Sequence, residues 1–297
     1  MSFQTFLQHL VNGISLGSLY ALLAIGYTMV YGILRLINFA HGDIFMLATY
    51  IAFYSITTFL LPWWAAFLIA IILTALLGIL LERAAYRPLR NSPRISIMIS
   101  AIGASFLIEN LAIVFFGGRP KAFPIAPIFS KIVRIGDVSI SIVTIIIPII
   151  TVIALVILNF IVNKTKTGMA MRAVSKDYDA AKLMGININH IISFTFGTGS
   201  ALAAIGGIMW ALKYPQLIPL MGVMPGLKFF IAAVIGGIGN IKGAVLGGFI
   251  LGLGEIAIVA SSPALSGYRD AFAFILLIII LLVKPTGLLG QNSAEKV

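Results

Sequence analysis

Residues Ile44–Leu81 read IFMLATYIAFYSITTFLLPWWAAFLIAIILTALLGILL, 38 consecutive positions without a charge. A bilayer-spanning helix needs about 20 apolar residues. As one helix this run would extend about 57 Å, too far for a single crossing of a hydrocarbon core about 30 Å thick. Pro62-Trp63-Trp64 divides it, with the two indoles at the membrane–water boundary where Trp is favoured. Two spans are therefore expected, near 43–61 and 63–81. The whole chain agrees: of its 297 residues, 60% are hydrophobic and only 10% charged, with a mean hydropathy of +1.10. Soluble proteins carry about 25% charged residues. No polar stretch is long enough for a separate soluble unit, so 1–297 is read as a single transmembrane domain with a polar loop at 163–190.

Working outward, Val11–Leu34 holds no charge over 24 residues and is another span. Downstream follow Ile95–Phe116, interrupted by Glu109, and Val138–Val162, with Pro148 as a kink. Ile191–Leu212, Ala244–Ala260 (which carries Glu255) and Ala271–Val283 complete the set. Gly226–Gly237 is too short to cross and leads into a glycine-rich turn, so a short or re-entrant helix is expected there. The expected fold is all-α and polytopic, with about 8 full transmembrane helices plus one short one. Ala21–Gly26 (ALLAIG) resembles Ala201–Gly206 (ALAAIG). In a chain this rich in Ala, Leu, Ile and Gly, chance explains the match better than a repeat. Read generously, it hints at related halves of the kind many transporters carry.

The net charge of +11 sits in short loops, where Lys and Arg hold membrane topology. No basic run is interleaved with aromatics in the way nucleic-acid binding requires. With nine segments, thirteen Lys and Arg fall on the side of the 163–190 loop and seven on the other. That loop is therefore expected to be cytoplasmic, with the N-terminus outside. No Lys or Arg precedes Arg35, so a cleaved signal peptide is not expected. There are no cysteines, and His9, His41 and His190 are too far apart in sequence for metal-ligand spacing.

Against this apolar background, Asn38, His41, Gly42 and Asp43 form a polar island. Ionisable groups at membrane depth are costly unless paired or facing a water-filled cavity, so the island is a candidate pathway or gate. An equally weighted reading makes it the cap of a broken helix. Asp43 would cap the helix starting near Ile44, and Asn38 would satisfy backbone groups freed by the break. The charge count sets the island toward the cytoplasmic end of its helices. Glu109-Asn110 is a second candidate in the pathway, with a buried polar pair between helices as the plainer reading. The loop over Gly168–Ile186 has Ala170, Ala173, Val174, Ala181 and Met184 near one helical face and Arg172, Lys176, Asp179 and Lys182 near the other. That pattern predicts one amphipathic helix ending at Gly185.

Read together, several pieces resemble one family. They are INFAHGD at 37–43, the loop Gly168–Asn187 with DAAKLMG at 179–185, GGIG at 236–239 with Gly243-Ala244, and the tail KPTGLLG at 284–290. In this order they resemble the branched-chain amino acid ABC transporter permease family, LivH-type subunit, over essentially the whole chain. The resemblance implies a bacterial inner-membrane, multi-pass importer subunit that moves Leu, Ile and Val by alternating access. It also implies a second related permease (LivM-like, or a second copy), two ATP-binding subunits and an extracytoplasmic binding protein. Gly168, Arg172, Asp179, Ala180, Ala181 and Gly185 would form the coupling element that seats on an ATPase. The chain itself has no G-x-x-x-x-G-K-[ST] phosphate loop and no H-E-x-x-H or G-x-S-x-G motif. It is expected to be non-catalytic and to hold no cofactor, with ATP and Mg used by the partners. Permeases for urea or short amides share much of the pattern. A proton-coupled secondary transporter using His41, Asp43 and Glu109 is the alternative from another class. An integral-membrane enzyme is disfavoured, since no catalytic constellation emerges.

Overall fold

The computed structural model describes residues 3–136 and 138–290. Lys296, one of the thirteen basic residues counted on the side of the 163–190 loop, lies outside the described residues. The elements are α1 (Phe3–Leu34), α2 (His41–Thr57), α3 (Trp63–Leu81), α4 (Arg94–Phe116), β1 (Lys121–Ala122), β2 (Ile132–Ile135), β3 (Val138–Ser141) and α5 (Ile142–Lys164). They continue with α6 (Lys166–Lys176), α7 (Tyr178–Leu183), α8 (Ile188–Lys213), β4 (Gln216–Leu217), α9 (Val223–Gly236), α10 (Ile241–Ser261) and α11 (Arg269–Val283). A π-helical turn over Glu82–Tyr86 extends α3, and a 3₁₀ turn over Pro263–Tyr268 precedes α11. The fold is all-α and polytopic. Its only strands among the described residues are the β2–β3 hairpin and the short β1–β4 pair.

Among the described residues, seven helices are long and apolar enough to cross a membrane, not eight. The difference is α2. The expected span 43–61 stops as helix at Thr57, because the chain turns at Phe59 and Leu60, the latter with φ 53°. Seventeen residues rise about 25 Å, short of the hydrocarbon core. α9, with 14 residues, rises about 21 Å. The bundle thus has two short helices, one from each half of the chain.

The halves are related. Lys213 donates to Ser15 Oγ at 2.7 Å, Gly206 lies on Leu23 and Gly199 on Gly26, so α1 and α8 run antiparallel. α1 lies in the groove of α10, with Gly13 against Leu253, Gly17 against Phe249 and Ala21 against Gly248. The same geometry recurs between α8 and α3, with Gly197 against Ile79 and Ser200 against Gly78. α2 leads into α3 as α9 leads into α10. The units α1–α4 and α8–α11 are therefore inverted copies, and the ALLAIG and ALAAIG stretches fall at matching places on α1 and α8.

Lipid tails are as apolar as Leu, so association within a bilayer depends on close backbone approach between small residues. The glycines at these crossings permit that approach; a Cβ on Gly252 would strike the backbone of Gly17. The glycine-rich stretch 236–248 serves the same packing: Gly236 faces the backbone of Gly243, and Gly247 faces Ala232. α1 and α8 are the inner pair, 94% and 78% buried over their apolar windows. α3, α4, α5 and α11 present broad apolar faces outward, including Leu76, Phe106, Val156 and Leu282.

Candidate functional site

The chain leaves α1 at Leu34, turns at Arg35 with φ 53°, and doubles back. His41 N–H donates to Asn38 O and Ile44 N–H to Ala40 O at 3.0 Å, which starts α2. The His41 ring packs beside Gly26, with Cε1 3.2 Å from where a Cβ would sit there, and stands edge-on to Tyr27 at 5.6 Å. Gly26 lies eight residues before the end of α1, so α2 begins about 12 Å inside the bundle. The polar island is therefore at mid-depth and not at the inner end that the charge count indicated. α9 starts at the same level: a Cβ on Gly42 would meet Gly222 O, and one on Gly222 would meet Gly42 O. Two short helices from the two copies thus meet N-terminus to N-terminus.

Asp43 is in the first turn of α2, but α2 has no side-chain cap. Its carboxylate instead accepts from Ser105 Oγ of α4 at 2.5 Å, and Glu109 of α4 lines the same cavity. The capping role expected of Asp43 is not what the structure has; it joins α2 to α4. Asn38 does serve the break through its backbone carbonyl, while its side-chain Oδ1 accepts from Tyr86 Oη at 2.9 Å. Glu109 and Asn110 do not form a pair. Asn110 is exposed and donates to Phe106 O one turn back, whereas Glu109 is half-buried and lines the cavity beside Asp43. Between α2, α4 and α9 lies a cavity of about 200 Å³ lined by Asp43, Ser105 and Glu109 together with Tyr27, Phe39, Phe106, Val223, Leu227 and Phe230. The pairing of β1 with β4 ties the segment after α4 to the segment before α9, which holds two walls of this cavity together. Among the described residues no cluster of three or more His, Asp or Glu is placed to hold a metal ion.

The 163–190 loop forms two helices where one was expected. Asp177 breaks the run: its φ of −154° is extended, and its side chain accepts from the N–H groups of Asp179 and Ala180 as the N-cap of α7. Thr165 caps α6 by accepting from Gly168 N–H at 3.0 Å. Gly168, Met171, Val174 and Ala181 face the bundle, and Gly168 sits against the carbonyls of Ile161 and Val162 where no side chain fits. Arg172 does not project freely; its guanidinium donates to Val162 O at the end of α5. Tyr178 Oη donates to Ile33 O at 3.0 Å, which fastens α7 to the end of α1, and burial raises its phenol above the ordinary value. Gly185 terminates α7 with φ 79°. Met184, expected on the buried face, is 83% exposed, and Leu183 is 89% exposed. With Asp179, Ala180 and Gly185 they form a projecting tip that is apolar at its centre.

Two features of this end of the bundle were missed in the sequence. Glu82 is fully buried and binds Arg87 at 3.0 Å, Arg90 at 2.8 Å and Ser193 at 2.7 Å, with Arg90 also donating to Asn189 at the start of α8. The tail 284–290 folds onto the α9–α10 turn, with Leu288 N–H donating to Ile235 O and Leu289 N–H to Gly236 O. Gly287 (φ 77°) fits against the backbone of Gly237.

The geometry suits a conduit more than a reaction centre: a polar joint at mid-depth, a small cavity beside it, and a projecting tip at one end. Residues 9–281 match the family model described as branched-chain amino acid transport system / permease component. The chain is 42% identical to the high-affinity branched-chain amino acid transport system permease protein LivH of Salmonella typhimurium, covering 99% of each chain. It is 41% identical to the LivH protein of Escherichia coli K12 over 99% of each, and 43% identical to the corresponding BraD protein of Pseudomonas aeruginosa over 98% of each.

Proposed function

Because the chain belongs to the branched-chain amino acid transport permease family, we propose that it is the membrane subunit of an ABC importer that carries leucine, isoleucine and valine across the bacterial inner membrane. The observation that carries this reading is identity of 41–43% over nearly the full length of three relatives, each named for branched-chain amino acids. None of these three is named for urea, for an amide or for proton coupling.

The geometry supports a division of labour. The basic end of the bundle, with α6 and α7, faces the cytoplasm by the positive-inside rule. There the exposed Leu183-Met184-Gly185 tip, with Asp179 and Ala180 beside it, seats in a groove of an ATPase subunit. Gly168 and Arg172 act one layer further in, fixing α6 to the end of α5 so that a push on α7 is carried into the bundle. Tyr178 transmits the same push to α1, whose far side carries the α2 joint. Asn38, His41, Gly42, Asp43 and Glu109 form the joint and the adjoining wall of the pathway, while Asn110 lies on the outer face of α4 toward a second permease subunit. ATP and Mg²⁺ are handled by the ATPases, an extracytoplasmic binding protein delivers the amino acid, and this chain makes no covalent bond.

Reconstitution with a second permease, two ATPases and a binding protein tests the assignment. ATP-dependent accumulation of labelled leucine is expected, with no accumulation of labelled urea. Leucine uptake by the permease alone, driven by a pH gradient, would overturn the ABC reading.

A further inference from the structure

Three acids of the bundle are deeply buried, and two of them have cations. Glu82 is bound by Arg87 and Arg90, and Glu255 by Lys228 at 2.9 Å. Asp43, 3% exposed, has none: among the described residues no Lys, Arg or His forms an ion pair with it or with Glu109. Asp43 accepts from Ser105 instead, and Glu109 lines the same cavity. An uncompensated acid pair at this depth is costly unless a cation visits it.

The cavity beside the pair says which cation. At about 200 Å³ it is far larger than a metal ion or a proton requires. Apart from Asp43, Ser105 and Glu109 its walls are mainly aromatic and aliphatic, which suits a branched hydrocarbon and not a hydrated ion. Gly222 and Gly226 form one wall at the N-terminus of the 14-residue α9, where the helix dipole is positive and a carboxylate is favoured. One side of the cavity thus attracts an ammonium, another a carboxylate, and the space between them is apolar.

We propose that this cavity is where the permease holds its substrate in transit, with Asp43 and Glu109 binding the α-ammonium group and α9 facing the carboxylate. The inference rests on the transport reading above and adds to it the recognition chemistry within the membrane. An ammonium offers three donors. It can hold Asp43 and Glu109 together through two N–H bonds while supplying the charge that the pair lacks. Discrimination here is for the zwitterionic head and for an apolar side chain of modest size.

The test uses the assembled transporter in lipid nanodiscs and a leucine analogue carrying a photoreactive diazirine, supplied at millimolar concentration. Cross-links are expected on the peptides containing Phe106 and Leu227. Leucine should block them, and leucinol, which keeps the ammonium but lacks the carboxylate, should block them less well than leucine but better than a ligand without the ammonium. 4-Methylpentanoate, which lacks the ammonium, should compete about a hundredfold less well, the loss expected for two charge-assisted bonds. Glu109→Gln should lower labelling about tenfold, and Asp43→Asn, measured separately, should do the same. Equal competition by leucinol and 4-methylpentanoate, or unchanged labelling in both variants, would overturn the proposal. If wild-type transporter accumulates leucine with ATP but the cavity is not labelled, the site assignment alone fails. If it accumulates no leucine, the transport reading fails, and competition by simple amines still decides whether the cavity is an ammonium site.

Discussion

Leu183 offers the cleanest separation of fold from coupling. Its side chain is 89% exposed at the end of α7, so the folded chain gains almost nothing from it. Leu183→Ala removes three carbons, and at about 0.8 kcal/mol per buried methylene the loss on docking is at most about 2.4 kcal/mol. That corresponds to roughly a 50-fold weaker association with the ATPase. Leu183→Asp, which would place a charge in an apolar groove, should weaken it further. The stability of the permease alone should stay within about 0.5 kcal/mol, as for other exposed positions. The assay is a titration of purified ATPase onto nanodisc-embedded permease, run beside a thermal melt of the permease by itself. An association constant unchanged within about twofold for both variants would refute the seating of α7, since a change this small is below one buried methylene. A large drop in melting temperature would show instead that Leu183 packs within the fold.

Gly42→Ala should separate the starts of α2 and α9, because the added methyl meets the backbone of Gly222 and lies 3.2 Å from Gly226 Cα. An overpacking loss of about 1–3 kcal/mol is expected in a detergent melt, with transport reduced in parallel. Glu82→Gln leaves Arg87 and Arg90 facing a neutral acceptor; both retain partial exposure, so the destabilisation should be about 1–3 kcal/mol, read from the same melt. Gly185→Trp forces a bulky residue into a left-handed turn that has open space around it. It should abolish ATP-driven uptake while leaving the protein in the membrane, and normal uptake would remove Gly185 from the coupling element. Cysteines at Ser130 and Lys164 should react with impermeant reagents from opposite sides; labelling of both from one side would reject the topology.

The spanning helices were legible because uncharged runs and Pro-Trp-Trp punctuation are local properties of the chain. The length of α2 was not, since Thr57–Leu61 stays apolar past the point where the backbone turns at Leu60. The division between α6 and α7 left a signal that was passed over: Asp177 precedes Tyr178-Asp179 as an N-cap residue should. The surroundings of Asp43 are a different matter. Glu109 lies far along the chain on another helix, and nothing in the spacing of a single sequence reports that α4 brings it to the same cavity. Ser105 and Gly222 were invisible for the same reason. The relation between the halves survives in sequence only as six residues at 21–26 and 201–206, because a crossing needs small residues and leaves their neighbours free to vary.

The segment between the two copies has a consequence for how such a chain could arise. A unit of four passages, the second made by the re-entrant loop together with the short α2, returns the chain to the side on which it began, so a plain tandem duplication would give two copies with the same orientation. α5 adds one crossing, and that odd passage is what turns the second copy over. It also delivers the chain to the face where α6 and α7 lie, before α8 begins. A single inserted helix thereby settles the parity of the whole bundle and marks one of two otherwise equivalent faces, giving a nearly symmetric pair of halves a direction.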